Sequence, residues 1–405
     1  MARYPTYAPE YSIEIDGDPI PPALRGSVSR ISYTDGIQGA DRVEVSIANE
    51  GLRWLDHPLL QVDNRFTLSL GYAPDPLERV FVGEITGVNA TFPNGGMPTL
   101  TVVAHDFLQR LTTGTKDRGF MLNLPTIGHF PLPDPAVVSL VAATNLLIPY
   151  PDPIGAALSF FTLLIAYAVS PLAAKKGVRI QQSQSDFDFL AGIAKENGWE
   201  MYIDHTLEPQ GFILRFQFLI QDYAPSVTLA WGESLADFTP RLTTVGQVAG
   251  VQTRLWLPSI KMELVIVLGW DYDRAAFDLQ IYPGFGGLER IVGPAKARSL
   301  VKVEAVGPAT MPKKLLSELL LRLNNRLTGT GSAVGNLAIK AGRVIDLHGL
   351  GDQFSGLYRI TSATHTIDGG GYKTSFDVRK EVWFDSIRRL AGIGGLRSVN
   401  GQRIG

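Results

Sequence analysis

Six histidines carry the widest range of chemistry in this sequence, because an imidazole can bind a metal ion or act as a general base. They are His57, His105, His129, His205, His348 and His365. No two of them have the His-Glu-x-x-His spacing that places two zinc ligands on one face of a helix. The neighbours His105–Asp106 and Asp204–His205 point to opposite faces of a strand, which is poor geometry for a shared metal ion.

Asp346 and His348 lie two residues apart in a strand-like stretch and therefore share a face. Two ligands without a visible third are more typical of polar residues on the surface of a barrel than of a metal centre. We therefore expect no metal site and no cofactor in this protein.

Motifs of nucleophilic and nucleotide chemistry are absent from the sequence. It contains no cysteine, no Gly-x-Ser-x-Gly elbow and no P-loop. In GTGSAVG, residues 329–335, the third glycine lies one position too late for a dinucleotide fingerprint, and the motif follows a predicted helix instead of a strand. We expect no enzyme activity. The open alternative is a β-rich carbohydrate-active enzyme, whose pair of carboxylates need not be close in sequence.

The composition favours a large, β-rich protein. The chain has 405 residues, enough for several hydrophobic cores. Its 42 glycines and 26 prolines exceed the usual share and favour many turns between short strands. A formal net charge of −2 argues against a basic surface that neutralises phosphates, so we expect no specific nucleic-acid partner.

Hydrophobic periodicity predicts the elements that position these residues. Residues 10–115 alternate apolar and polar side chains in several short runs, which indicates an antiparallel sheet or barrel. The stretch from Ser185 to Gly198 has an N-cap serine, one apolar face and an Asn-Gly stop, which predicts a helix. Leucines at helical spacing predict a second helix from Lys313 to Leu327.

One apolar run interrupts this β-rich pattern. Residues 154–174 carry no charge and are followed by Lys175 and Lys176, so the run is just long enough to span a bilayer. Flanking prolines favour a helix buried between domains or subunits, and membrane contact stays as an alternative. The polar, proline-broken N-terminus has no apolar core of a secretory signal.

Two stretches of the chain resemble each other in order and spacing. RFTLSLG, residues 65–71, and RVIDLHG, residues 343–349, are each followed by a Phe-x-Gly, an Ile-Thr strand, a Gly-Gly turn and a closing strand. Hairpins can look alike through turn chemistry alone, which is one interpretation. The other is two related barrels in one chain, so that a trimer would present six barrels in a ring.

Three further blocks carry a family resemblance. They are QSDFDFLAGIAKENGWEMYIDH at 184–205, LAWGESLADFTPRLTTVGQVAGVQTRLW at 229–256 and FSGLYRITSATHTIDGGGYKTSFDVRK at 354–380. In order and approximate spacing the sequence resembles the phage late control protein D family and the hub portion of VgrG-type spike proteins. The resemblance implies a structural baseplate hub of a contractile phage tail or injection system, assembled in the bacterial cytoplasm. It also implies a homotrimer that joins a hexameric inner tube to a separate trimeric spike among other baseplate proteins.

The expected fold class is therefore α+β, mainly β, with two related tube-like antiparallel β-barrels and inserted segments. The predicted domains are a first barrel at 1–115, an apolar connection at 116–180, an α+β insertion at 181–232, a second barrel at 233–386 with a helical insertion near 261–330, and a basic Gly-rich tail at 387–405.

Several residues are candidates for assembly contacts. Trp231 and Arg241 lie at the start of the second barrel, where a tryptophan is more often core than contact. His365 and Tyr372 flank a three-glycine turn, which indicates either a hairpin tip or a rim contact to the next ring. The tail is either disordered or becomes ordered on an acidic partner. Its arginines are Arg388, Arg389, Arg397 and Arg403.

Overall fold

The structure is a computed structural model that describes residues 8–124, 128–153, 155–157, 159–161, 178–218, 224–243, 250–257, 261–271, 274, 276–284, 300–304 and 311–384. Within them the chain is mainly β with a few helices, which confirms the predicted fold class.

Strands account for most of the described elements. In chain order they are β1 Ala8–Ile15, β2 Asp18–Pro19, β3 Val28–Gly36, β4 Arg42–Ala48, β5 Arg65–Ala73, β6 Glu78–Thr91, β7 Thr99–Asp106, β8 Lys116–Leu124, β9 Gly128–Pro131, β10 Ile148–Pro151, β11 Arg179–Gln184, β12 Trp199–Asp204, β13 Ile213–Phe218, β14 Pro225–Ala230, β15 Leu235–Leu242, β16 Gly250–Leu257, β17 Met262–Asp271, β18 Ala276–Pro283, β19 Leu300–Lys302, β20 Leu327–Val334, β21 Val344–His348, β22 Gly356–Asp368 and β23 Gly371–Arg379. The α-helices are α1 Pro22–Arg25, α2 Asp134–Thr144, α3 Asp186–Asn197, α4 Met311–Leu323 and α5 Gly351–Phe354.

The first β-unit is built from β1 to β7. Its strands are hydrogen-bonded in the order β2-β1-β5-β6-β7-β4-β3, with antiparallel neighbours throughout. The alternation seen in the sequence places one face of each strand in a common core, where Val43, Leu68, Phe81 and Ile85 are fully buried. Burial of this face is what selects the register of each strand.

The second β-unit has the same plan. Its strands run in the order β14-β21-β22-β23-β20-β15, and Ile345, Tyr358, Ile360 and Ala363 are fully buried in its core. The outermost strands differ, because β14 pairs in parallel with β21 whereas β1 pairs antiparallel with β5.

Strand registers show how closely the two units correspond. The paired residues of strands β3, β4, β7 and β6 can be aligned one by one with those of β15, β20, β23 and β22. Two bulges also align: the bulge in β3 corresponds to the one in β15, and the bulge in β6 to the one in β22. Ile85 and Ile360 both precede the second bulge, as the Ile-Thr match predicted. The Phe-x-Gly match aligned Phe81 with Phe354 and is wrong by two residues. The strand register makes Phe81 equivalent to Gly356.

One antiparallel junction joins the two units. Strand β3 pairs with the outer half of β22 from Arg30↔Asp368 to Gly36↔Ser362, so that one sheet of 13 strands includes both units. At the middle of this junction the hydroxyl oxygens of Thr34 and Thr364 are 2.9 Å apart. The relative position of the units is therefore set by backbone hydrogen bonds.

An α+β unit lies between the two β-units in the chain. Its sheet has the order β10-β13-β12, and α2 and α3 pack with it around a core that includes Val138, Leu190 and Phe216. Helix α3 begins as predicted, because the Ser185 hydroxyl accepts a hydrogen bond from the Asp188 amide at 3.0 Å. It ends at Gly198, whose φ of 67° is the left-handed conformation that glycine favours.

The predicted helical insertion near 261–330 contains a sheet as well as a helix. Strands β16, β17, β18 and β19 form a sheet in the order β18-β17-β16-β19, because the apolar run MELVIVLGW is short and rich in β-branched residues. The leucine-rich helix is α4, which packs Leu315, Leu319 and Leu323 against this sheet. It ends before Leu327, where β20 begins.

The apolar run 154–174 falls mostly outside the described residues. Among the residues that the structure does describe, no helix is long and apolar enough to cross a membrane.

We predict that Asp186→Asn removes an acid-dependent part of the stability. Burial raises the pKa of Asp186, but hydrogen bonds from Lys116, Asn145, Gln181 and Arg118 outweigh it and lower the pKa to about 2. An unfolded aspartate has a pKa of about 3.9. The network therefore stabilises the fold above about pH 4, and this contribution is lost as the pH falls to about 2.

Urea unfolding between about pH 2 and about pH 7 measures this effect. We expect the free energy of unfolding of the variant at neutral pH to be about 1–2 kcal/mol lower than that of the wild type. The effect is no larger because Lys116 and Arg118 are partly exposed, so that solvent screens their attraction to Asp186. The matched control is Asp117→Asn, an exposed aspartate between Lys116 and Arg118 that should keep the wild-type pH dependence. A wild-type pH dependence in Asp186→Asn would contradict the assignment.

Candidate assembly edges and buried polar clusters

Among the strand edges that lack a neighbour in the described residues, two belong to strands that correspond to β3 and β22 in the alignment of the units. Strand β15 pairs with β20 on one side only, and Pro240 on it is a residue that strands tolerate at an edge. The outer half of β6, residues 87–91, pairs with β7 but not with β5, which ends opposite Glu84. Unpaired edges are templates for strand addition by another chain.

Two candidate contact residues lie on the surface. Trp231 follows β14 and forms an isolated backbone β-bridge with Leu235. Its side chain is 62% exposed, so it is not a core residue. Arg241 is exposed on β15, whose outer edge is free. Both side chains are therefore available for contacts in an assembly.

His365 and Tyr372 are inside the chain, which corrects their interpretation as rim contacts. The His365 Nδ1 lies 2.9 Å from the Tyr372 hydroxyl, and Nε2 lies 3.1 Å from the Ile339 carbonyl oxygen. The His365 ring stacks on Tyr33 at 5.8 Å between centroids. Both side chains are buried because the β3–β22 junction brings this hairpin onto the core of the first unit.

The four arginines of the predicted basic tail, Arg388, Arg389, Arg397 and Arg403, lie outside the described residues. Their assignment as assembly residues stays a prediction.

Asp346 and His348 share a face as predicted. The His348 Nε2 lies 3.0 Å from a carboxylate oxygen of Asp346, and the His348 side chain is half exposed. This geometry is that of an imidazole beside a carboxylate on the surface of β21.

A buried ion network connects the α+β unit to the second β-unit. Glu200 on β12 accepts from the guanidinium groups of Arg359 on β22 and Arg379 on β23, and the Arg379 Nη2 is 3.1 Å from its Oε1. Arg379 also donates to Glu381 at 2.8 Å, and Asn324 after α4 donates to the same carboxylate. Two carboxylates thus balance two guanidinium groups inside the protein, as buried charges require.

A second polar cluster lies where the first β-unit meets the α+β unit. Asp41 precedes β4, Asp106 ends β7 and His205 follows β12, and each residue is at most 6% exposed. One oxygen or nitrogen atom from each side chain lies within 4.8 Å of the others. Two carboxylates and an imidazole at this separation are able to share a proton or to bind a metal ion.

The environment of this cluster opposes negative charge. Burial and the charge of Asp41 raise the pKa of Asp106 well above its usual range. Burial and Asp41 also raise the pKa of Asp35 to about 7, although Lys340 and two backbone amides lower it in part. The Tyr33 hydroxyl donates to Asp41 at 3.2 Å, and burial raises the pKa of that phenol well above its usual range.

The sequence shows two dipeptides that contribute to this cluster, but it does not show the cluster itself. The dipeptides are His105–Asp106 and Asp204–His205, each a pair of neighbours. The structure takes one residue from each pair, Asp106 and His205, and adds Asp41 from a third segment. The only sign of the cluster in the sequence was that each dipeptide combines an aspartate with a histidine. Which residues come together depends on tertiary contacts.

We predict that His365 makes the protein sensitive to acid. Burial lowers the pKa of His365 to about 4, partly opposed by the hydrogen bond to the Ile339 carbonyl, whereas an unfolded histidine has a pKa of about 6.5. The unfolded chain therefore binds a proton at a higher pH than the folded chain does. Stability is complete above about pH 6.5 and falls by up to about 3 kcal/mol as the pH decreases to about 4.

His365→Gln keeps a donor and an acceptor at this position and should reduce the slope of the free energy of unfolding against pH in that window. Chemical denaturation at a series of pH values measures the slope. His348→Gln, at a half-exposed histidine, is the control and should retain the wild-type slope. Equal slopes in His365→Gln and wild type would show that His365 is not the titrating group.

Comparison of the sequence with protein-family models and with curated proteins finds no match. Comparison of the structure with solved structures does. A 43 kDa tail protein of prophage MuSo2 from Shewanella oneidensis matches with a TM-score of 0.61 and 11% identity, over 92% of this chain and 98% of that one. A tail protein from Neisseria meningitidis matches with a TM-score of 0.57 and 11% identity, over 94% of this chain and 99% of that one.

A third similar structure comes from Escherichia coli and is described as a component of the type VI secretion system with structural similarity to bacteriophage T4 tail proteins. Its TM-score is 0.54 at 10% identity, over 90% of this chain and 76% of that one. This chain therefore has the fold of phage tail proteins and of a type VI secretion component, as its sequence resemblance to the late control protein D family predicted.

Proposed function

We propose that this protein is a structural baseplate hub of a contractile phage tail or contractile injection system. Its homotrimer would join the hexameric inner tube to a trimeric spike, with tube, spike and other baseplate proteins as partners. The role is mechanical and not enzymatic. The shared fold with tail proteins supports this class of function.

The observation that carries the proposal is the repetition of one strand plan in two units joined edge to edge. Three copies of the chain contain six such units, and a ring of six quasi-equivalent units matches a hexameric tube on one side. The same ring has exact three-fold symmetry and so matches a trimeric spike on the other. A heterologous contact that repeats with a closing rotation generates such a ring.

The junction within the chain indicates which edges would join neighbouring chains. In the alignment of the units, β15 is equivalent to β3, and residues 87–91 of β6 are equivalent to the outer half of β22. Strand β3 pairs with β22 inside the chain, whereas β15 and the outer half of β6 have free edges. Repeating the junction between chains therefore pairs β15 of one chain with β6 of the next.

This equivalence also sets the register of the contact between chains. The pair Thr34↔Thr364 of the internal junction corresponds to Arg241 of one chain opposite Asn89 of the next. The two threonine hydroxyl oxygens are 2.9 Å apart, so side chains at these positions meet across the junction. Arg241, an assembly candidate from the sequence, thereby lies at the centre of the proposed contact.

The first test is the oligomeric state of the purified full chain, measured by mass photometry and negative-stain microscopy. We expect a trimer whose class averages show a ring with approximate six-fold symmetry. The tagged chain in its native host should label one tip of sheathed tubes. A monomer at micromolar concentration, together with no labelled tubes in repeated preparations, would overturn the proposal.

The second test uses engineered cysteines, which are unambiguous here because the sequence contains none. We predict that Asn89→Cys combined with Arg241→Cys forms disulfides between chains, because directly opposite side chains in an antiparallel pair are within bridging distance. Non-reducing electrophoresis after mild oxidation should show covalent dimers and trimers.

The matched control is Thr34→Cys combined with Thr364→Cys, at the equivalent positions of the internal junction. It should form a disulfide within one chain and run as a monomer. A register control, Asn89→Cys with Leu242→Cys, places the two thiols on opposite faces and should not cross-link. A trimer that fails to cross-link through residues 89 and 241 while the internal control closes would contradict the proposed register.

A further inference from the structure

The cluster of Asp41, Asp106 and His205 has a feature that a hydrogen-bonded network does not explain. Both ring nitrogens of His205 lack a hydrogen-bond partner although the residue is only 2% exposed. A buried polar atom without a partner costs free energy, so such atoms are rare in folded proteins. The His205 Nε2 points at the cluster and lies 3.5 Å from the Asp41 Oδ2, which is too long for a hydrogen bond.

The two carboxylates are held in place by hydrogen bonds that leave their orientation little freedom. Asp106 accepts from the Leu108 amide at 2.9 Å and from the Asp41 amide at 3.0 Å. Asp41 accepts from the Gly36 amide and from the Tyr33 hydroxyl, each at 3.2 Å. Outer hydrogen bonds of this kind orient the ligands of metal sites.

The imidazole is positioned by packing instead. Its ring lies 5.6 Å from the ring of Phe81, which is itself fully buried. Side chains held this rigidly lose little conformational entropy when they bind a ligand.

The charge of the cluster is uncompensated by side chains. Among the residues that the structure describes, no lysine or arginine pairs with Asp41 or Asp106. Two ionised carboxylates next to each other in a buried site repel. A bound cation would remove this repulsion and give His205 a partner.

We propose that Asp41, Asp106 and His205 bind a divalent first-row transition metal ion that clamps the α+β unit to the first β-unit. An imidazole nitrogen among the ligands favours ions such as Zn²⁺ or Mn²⁺ over Ca²⁺, which takes oxygen ligands. The site is structural, because it is enclosed by Tyr33 and Phe81 and bridges segments far apart in the chain. This inference does not depend on the proposed hub function.

The experiment uses the full chain, stripped with a chelator and dialysed. We expect the protein to take up about one Zn²⁺ per chain, measured by elemental analysis after removal of free metal. Zn²⁺ should raise the midpoint of thermal unfolding by several degrees, since a ligand that binds only the folded state stabilises it. Ca²⁺ at the same concentration should not.

Two variants and one control test the assignment of the ligands. His205→Gln and Asp106→Asn should each weaken Zn²⁺ binding by about ten-fold or more. Asp106→Asn keeps an oxygen acceptor for the Leu108 amide, so it serves as the test where His205→Gln fails to fold, as judged by circular dichroism. The control is His348→Gln, which removes a histidine next to the surface residue Asp346 and should bind Zn²⁺ like wild type.

The proposal is overturned if the stripped wild-type chain takes up no Zn²⁺ or Mn²⁺. It is also overturned if ligand variants that fold retain wild-type affinity, or if Ca²⁺ and Zn²⁺ stabilise the chain equally. Loss of Zn²⁺ uptake in His348→Gln, with uptake retained in His205→Gln, would move the site to the surface pair Asp346–His348 and overturn it as well.

Discussion

The antiparallel junction between β3 and β22 is the constraint on which the rest of the molecule depends. It joins two units of the same strand plan through seven paired positions and makes one continuous sheet. Backbone hydrogen bonds allow strands to pair only in discrete registers, because a slip of one residue would exchange the buried and exposed faces. The relative position of the units is therefore specified sharply, and the same geometry determines which edges stay free.

The β3–β22 junction does not fix the position of the α+β unit, which is instead held by buried polar contacts. Glu200 with Arg359 and Arg379 connects this unit to the second β-unit, and His205 lies beside Asp41 of the first, 3.5 Å from its carboxylate. Buried charges add little net stability, but removing one partner leaves another without compensation and is costly. Such contacts therefore favour one docking geometry over others that would bury the same apolar area.

The fold is shared with tail proteins whose sequences are 11% identical to this one. This is understandable if what must be kept is the strand plan and the edge geometry, since many apolar sequences fill the same core. The helix caps and the bulges are local devices that maintain the plan. Surfaces that do not contribute to this plan are free to vary with binding partners, which places specificity outside the features that carry the fold.

The local elements of this protein follow from residues that lie close together in the chain. Alternation predicted the strands of the first unit, the Ser185 cap and Gly198 delimited α3, and the Ile-Thr match located the repeat, because each signal lies within a short stretch of the chain. Tertiary contacts set three other features, namely the register of the repeat, the burial of His365 and the meeting of Asp41 with Asp106 and His205. These features require segments that are distant in sequence to pair or pack, and periodicity within one segment holds no information on which partner will cover it.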